Sequence, residues 1–191
     1  MPAPSAPSAF SPEARARFRD ACEAHLDFVW RFAGACGVEA SAVESLVRKV
    51  FWIVQGRLIS LDDPSDLRVS IAGIARQIVR SHLRRPGSAL EVADRPPPRS
   101  PSELGPIDGL ETKTAAALVD IILSTMSEAE REVFILCELE GFTLVETAEA
   151  LHVSESTLRL RLDEARKLFN DVSAHLRAQR FWVSRGGAGE P

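Results

Sequence analysis

The sequence predicts an all-α chain of two small helical domains joined by a Pro-rich flexible linker, the second domain containing a helix-turn-helix. Three observations carry that expectation. Apolar residues recur at three- and four-residue steps, no strand-like alternation of any length occurs, and the prolines fall mainly in the first dozen residues and between Pro86 and Pro106. These breaks divide the 191 residues into a disordered tail at 1–12, a domain at 13–85, a linker at 86–111, a second domain at 112–180 and a tail at 181–191. A domain of that size buries only about 60% of its unfolded surface, so mutual docking or a partner is expected to help.

In the first domain, Ser11-Pro12 suits a helix start, and Phe18, Cys22, His25, Leu26, Val29 and Phe32 keep helical spacing up to the break at Gly34 and Gly37. Trp30 and Trp52, set among apolar helical neighbours, read as core residues. A capping box at Ser41-Ala-Val-Glu44 opens a second helix with Val43, Leu46, Val47, Val50, Phe51 and Val54 on one face. Asp63-Pro64 opens a third, through Leu67, Ile71, Ile74, Ala75, Ile78 and Leu83.

The second domain starts with an apolar run from Ala115 to Leu123. Capping boxes follow at Ser127-Glu-Ala-Glu130 and Thr143-Leu-Val-Glu146, and Ser154 is a fresh N-cap after a His152-Val153 turn. The last helix carries Leu158, Leu162, Ala165, Phe169, Val172 and Leu176 as an amphipathic stripe, and the end from Ser184 is expected to fray.

Charge and cysteine usage exclude several functions. The net charge of −4 is uneven: +3 over residues 1–90, −3 over 91–111 and −4 over 112–191. Nucleic-acid binding must therefore rest on local basic faces. Cys22, Cys36 and Cys137 form neither a CxxC nor a Cys/His cluster, and an odd number closes no disulfide framework, so a reduced, cytoplasmic setting is expected. No stretch approaches the roughly 20 apolar residues that span a bilayer. His25, His82, His152 and His175 are dispersed, and there is neither HExxH nor a Gly-rich phosphate loop, so no catalytic residue, metal or cofactor is expected. Glu128, Glu130, Glu132, Glu138 and Glu140 read as a solvated helix surface.

The short helix from Thr143, the three-residue turn and the helix from Ser154 form a helix-turn-helix, with Ala148 allowing close approach and Val153 and Leu158 filling the angle between them. In that geometry Glu155, Ser156, Thr157, Arg159 and Arg161 lie near base edges and phosphates of a major groove, and Arg166 and Lys167 near phosphate. Spacing alone leaves open a plain helical hairpin with a solvated face.

The stretch from Ser127 to Phe169 resembles the promoter-binding region of bacterial RNA polymerase sigma factors of the extracytoplasmic-function group. The resemblance is carried by Arg131-Glu-Val-Phe134 with Glu140-Gly-Phe-Thr143, by the Glu146-Thr-Ala-Glu-Ala-Leu151 helix, and by Val153-Ser-Glu-Ser-Thr-Leu-Arg159 ending in Glu164-Ala-Arg166. Glu44 to Phe51 and Ile74 to Arg85 are similar, more loosely, to the same family's N-terminal region. What the resemblance implies is a transcription initiation factor, not an enzyme, that binds core polymerase and contacts the −35 element through the helix-turn-helix and the −10 region through the first domain. It further implies that Arg76, Arg80, Arg84 and Arg85 meet the separated strand, and that Glu44, Ser45, Arg48 and Lys49 face the polymerase. An anti-sigma factor is a candidate partner, and the free chain is expected to be a monomer. The family usually has acidic and amide groups where Ser45, Arg48 and Lys49 stand, and it is often basic where Asp163 and Glu164 stand. A degenerate DNA-binding regulator or protein-interaction module that no longer engages core polymerase is the alternative, and a solvated helix face is the alternative for the arginine ladder.

Overall fold

The computed structural model describes residues 12–57, 64–84, 104, 107 and 109–186. Seven α-helices account for most of them: α1 (Pro12–Ala35), α2 (Ala40–Arg57), α3 (Pro64–Leu83), α4 (Ala115–Ser124), α5 (Glu128–Phe134), α6 (Leu144–Leu151) and α7 (Glu155–Gly186). Among the described residues there is no strand, as expected of an all-α chain.

The first three helices form one block. Val29, Phe32 and Ala33 of α1, Leu46, Val47, Val50 and Val54 of α2, and Ile71, Ala72 and Ala75 of α3 are all buried, so each helix turns its apolar stripe inward. The chain leaves α1 through Gly37 at φ 94°, a conformation open to glycine at little cost. Helix α2 begins one residue before the expected box, because the Glu39 carbonyl accepts from the amides of Ala42 (2.8 Å) and Val43 (3.2 Å) and Ser41 falls inside the first turn. Trp30 and Trp52 are not core residues: they are 45% and 77% exposed. Both sit one residue beyond a buried position, Val29 and Phe51, and that single step turns them about 100° off the stripe.

In the second block both expected capping boxes close in full. Ser127 Oγ accepts from Glu130 N while Glu130 Oε2 accepts from Ser127 N, and Thr143 and Glu146 do the same. Helix α5 widens into a π turn over Ile135–Leu139, where Glu140 N donates to Ile135 O at 2.9 Å. Gly141, at φ 66°, then ends the helix, and Phe142 N donates to Leu136 O. Helix α7 buries Leu158, Leu162, Ala165, Val172 and Leu176, and Phe169 stacks on Phe134 with centroids 4.9 Å apart. It also runs on to Gly186, past the expected tail boundary at 181, because no Pro or Gly interrupts it before the Gly186-Gly187 pair.

The two blocks pack directly on each other, with α3 crossing α6 and α1 meeting the end of α5. A Cβ at Gly73 would meet Ala150 O at 3.3 Å, so glycine lets α3 and α6 approach at this point. Phe28 of α1 packs on Phe142 at a centroid distance of 5.4 Å, and the Arg68 guanidinium lies 3.9 Å above the same ring. One continuous apolar core therefore runs through both blocks.

Candidate nucleic-acid interface

The helix-turn-helix is built by caps. Helix α6 stops at His152, which takes φ 52°, while Val153 N returns to Ala148 O at 3.0 Å. Ser154 Oγ then accepts from Thr157 N at 3.3 Å, which fixes the first turn of α7. Thr147 is fully buried behind that turn, donating to Thr143 O at 2.8 Å and meeting Cys137 Sγ at 3.4 Å. Leu158 fills the angle between the helices and is fully buried.

With Leu158 and Leu162 facing inward, Glu155, Ser156 and Arg159 stand together on the exposed face of α7. Arg159 reaches back to Glu155 at 3.4 Å, a solvent-screened pair between neighbouring turns. Ser156 Oγ and Thr157 Oγ1 lie 3.0 and 2.9 Å from Ser154 Oγ, so the start of the helix is a row of hydroxyls. Arg161 is half-buried, while Arg166 and Lys167 are exposed, Arg166 held by Glu138 at 2.6 Å. Leu160 is 69% exposed, beside Arg159 on the outer surface. Such a face suits a groove of DNA, with hydroxyl and guanidinium donors for phosphates and base edges.

The second candidate set lies elsewhere and is differently occupied. Arg76 and Arg80 point from α3 into the seam between the blocks. Arg76 Nε donates to Glu132 Oε2 at 2.9 Å and its Nη1 to Leu151 O at 3.1 Å. Arg80 donates to both oxygens of Glu132, at 2.6 and 2.9 Å, and also pairs with Glu128. Arg84, more exposed, lies 3.5 Å from Glu128, and Arg85 falls outside the described residues. The solvated helix face that stood as the alternative for this ladder does not describe Arg76 and Arg80, which are engaged by Glu132. Glu132 and Glu140, expected on a solvated helix surface, are not so placed: Glu132 is 3% exposed, and Glu140 is gripped by Arg31 at 2.7 and 2.9 Å.

The residues considered for polymerase contact do come together. Glu44, Ser45, Arg48 and Lys49 are exposed on α2, and Arg48 pairs with Glu44 one turn away at 2.5 Å. Trp52 extends the patch, and Leu46, Lys49, Ile53, Arg57, Ile74 and His82 line a groove between α2 and α3.

Sequence reasoning missed Arg131. Its guanidinium donates to Leu123 O (2.8 Å) and Met126 O (3.2 Å), closing off the carbonyl end of α4, and reaches across the seam to Cys36 O at 3.1 Å. Burial lowers its pKa, and burial pushes the Cys36 thiol far up. Gly37 lies against this guanidinium, where a Cβ would come within 3.4 Å of Nη1. Nothing local marks such a residue, since its partners are 5 to 95 positions away. Among the described residues no group of His, Cys, Asp and Glu could hold a metal, and no helix is long and apolar enough to cross a membrane.

Comparison with known proteins then bears on these sites. Residues 108–169 match the sequence family described as Sigma-70, region 4. The helix-turn-helix block is thus similar to sigma region 4. The region 4 match includes all of α4 to α6 and the first half of α7. The chain is also 29% identical over 164 residues to a probable RNA polymerase sigma factor, RfaY, of Xanthomonas campestris pv. campestris, an alignment covering 81% of this chain and 39% of that protein. The chain thus spans about two fifths of the length of this curated relative. Two solved structures share the fold across both blocks. The sigma factor RpoE, in complex with the anti-sigma factor NepR from Bartonella quintana, superposes with a TM-score of 0.65 at 20% identity, covering 83% of this chain and 97% of that one. CnrH, in complex with the cytosolic domain of CnrY, gives 0.57 at 21% identity, covering 86% and 90%. The first block, which lies outside the region 4 match, shares its fold with these two structures.

Proposed function

We propose that this chain is a sigma-like transcription initiation factor that binds core RNA polymerase and directs it to promoters. The observation that carries the reading is the region 4 match falling on a capped helix-turn-helix whose α7 presents Glu155, Ser156 and Arg159 to solvent. In this reading α7 enters the major groove of the −35 element, with Thr157, Arg161, Arg166 and Lys167 contributing phosphate contacts and Arg159 reading a base edge. The exposed α2 patch of Glu44, Ser45, Arg48 and Lys49 engages polymerase, and Arg76, Arg80, Arg84 and Arg85 hold the separated strand near −10 when they are freed. Polymerase supplies the chemistry. The chain supplies placement, two promoter contacts on one tether, so that the second forms at high effective concentration once the first is made. An anti-sigma partner fits the same reading, because both solved relatives are held by a second protein.

The test combines two assays on the full chain, co-elution with purified core polymerase and binding to a promoter duplex selected from a genomic pool. Co-elution together with duplex binding that Arg159→Ala weakens by about 1 to 3 kcal/mol supports the reading. Duplex binding without co-elution turns the chain into a stand-alone regulator, the reading favoured by basic Arg48 and Lys49 on α2.

A further inference from the structure

The arginines assigned to the separated strand are, in the structure, already engaged by carboxylates of the other block. Arg76 and Arg80 converge on Glu132, Arg80 and Arg84 on Glu128, and Arg76 also holds the carbonyl of Leu151 at the end of α6. A carboxylate and a phosphodiester oxygen make the same demand on a guanidinium: an anionic acceptor that takes one or two N–H donors. Glu132, at 3% exposure, serves no other described partner, and without the two arginines it would be a buried, unpaired charge. Steric fit points the same way, since Gly73, one turn before Arg76, lets α3 press against Ala150 of α6 with no room for a strand between them.

We infer that Glu128 and Glu132 occupy the phosphate-binding positions of the α3 arginine face, so that docking of the C-terminal block and binding of single-stranded DNA to that face exclude each other. The inference rests on the reading of α3 as a strand-binding helix and adds its regulation. The closed chain hides the −10 contact while leaving the exposed face of α7 free. DNA or polymerase that separates the blocks adds the −10 contact to the one already exposed on α7. Affinity for a single strand then scales with the open fraction of the chain, and full opening raises it by the reciprocal of that fraction.

The experiment measures binding of a fluorescent oligothymidylate to the full chain at several salt concentrations, for the parent and two opening variants. Glu128→Gln with Glu132→Gln removes the carboxylate charge. Gly73→Leu wedges α3 from α6 without touching a charge, and leucine favours the helix more than glycine does. Both variants are expected to bind at least about tenfold tighter than the parent, which corresponds to a parent open less than about a tenth of the time. Adding Arg76→Ala and Arg80→Ala is expected to abolish the gain. Cys36 supplies a second readout in the unaltered chain, because it is buried and its carbonyl is held by Arg131 of the other block. Saturating oligonucleotide is expected to raise its rate of thiol labelling, located by mass spectrometry, even if a variant fails to fold. Equal affinity of parent and opening variants, with Cys36 still protected in the bound parent and with Arg76→Ala weakening binding, overturns the exclusion while leaving the strand-binding reading intact. No effect of Arg76→Ala and Arg80→Ala in any background overturns that reading, and the exclusion falls with it.

Discussion

Arg80 of α3 and Glu132 of α5, 52 residues apart in the chain, form a two-pronged ion pair at 2.6 and 2.9 Å in the seam between the blocks. Arg80 retains 23% side-chain exposure and Glu132 only 3%, so the pair is screened far less than the surface pairs on α2 and α7. Arg76 shares the same carboxylate, which makes Glu132 the hub of the seam. A shared hub couples the fates of its partners.

Glu132→Ala is therefore expected to destabilise the chain by about 3 to 5 kcal/mol, the range for breaking a buried pair and leaving its partner charged. Arg80→Ala alone is expected to cost less, because Arg76 still satisfies Glu132. Urea denaturation of the two single variants and the double variant gives their coupling, expected at about 1 to 3 kcal/mol. A coupling near zero would place the two side chains apart in solution.

Thr143→Ala tests the cap of the helix-turn-helix. Its hydroxyl accepts from Glu146 N at 3.2 Å and Glu146 returns to Thr143 N at 2.7 Å, so the change is expected to cost about 1 kcal/mol and to weaken duplex binding through α6 rather than through any DNA contact of its own. Thr143→Ser, which keeps the hydroxyl, is expected to restore both stability and binding.

His25 sets a pH dependence. Burial first, and the nearby Arg68 guanidinium second, lower its pKa below the ordinary 6.5. Below that value the unfolded chain binds a proton at this site that the folded chain does not, so stability is expected to fall as pH drops below about 6.5 and to stay level above it. His25→Gln is expected to flatten this window in a series of urea titrations. An unchanged slope in the variant would assign the window to another group.

The exposed α2 patch yields a fourth test. Trp52 is 77% exposed, so Trp52→Ala is expected to change stability by less than about 0.5 kcal/mol. Arg48→Gln with Lys49→Glu is expected to be equally silent in folding, since neither side chain is buried and, among the described residues, Arg48 pairs with Glu44 alone. Core-polymerase affinity is the sensitive quantity, because charges at an association surface act on encounter and partner choice. A gain in the double variant marks an ordinary basic clamp on the polymerase side, and a loss marks a clamp surface altered to suit the basic pair. No change at low salt would remove α2 from the polymerase contact.

Local signals made much of this fold legible. The Ser127 and Thr143 boxes, the Ser154 cap, the His152-Val153 turn and the Leu158 to Leu176 stripe all depend on residues within a few positions of one another, and each appears where spacing predicts it. The seam was not legible. Arg76 and Arg80 have the spacing of a solvated ladder, and only the approach of α5, more than 50 residues away, turns them inward. Trp30 and Trp52 failed for the opposite reason: large apolar side chains next to a buried stripe read as part of it, although one residue of helical rotation takes them out.

The most direct measurement is transcription itself: purified core polymerase, the full chain and a pool of genomic promoter fragments, with transcript starts read by sequencing. Transcripts that depend on the chain, start at fixed positions downstream of a shared motif, and fall with Arg159→Ala are expected. Core polymerase that responds to the chain with no new starts, under salt conditions where the chain binds the same fragments, would contradict the assignment as an initiation factor.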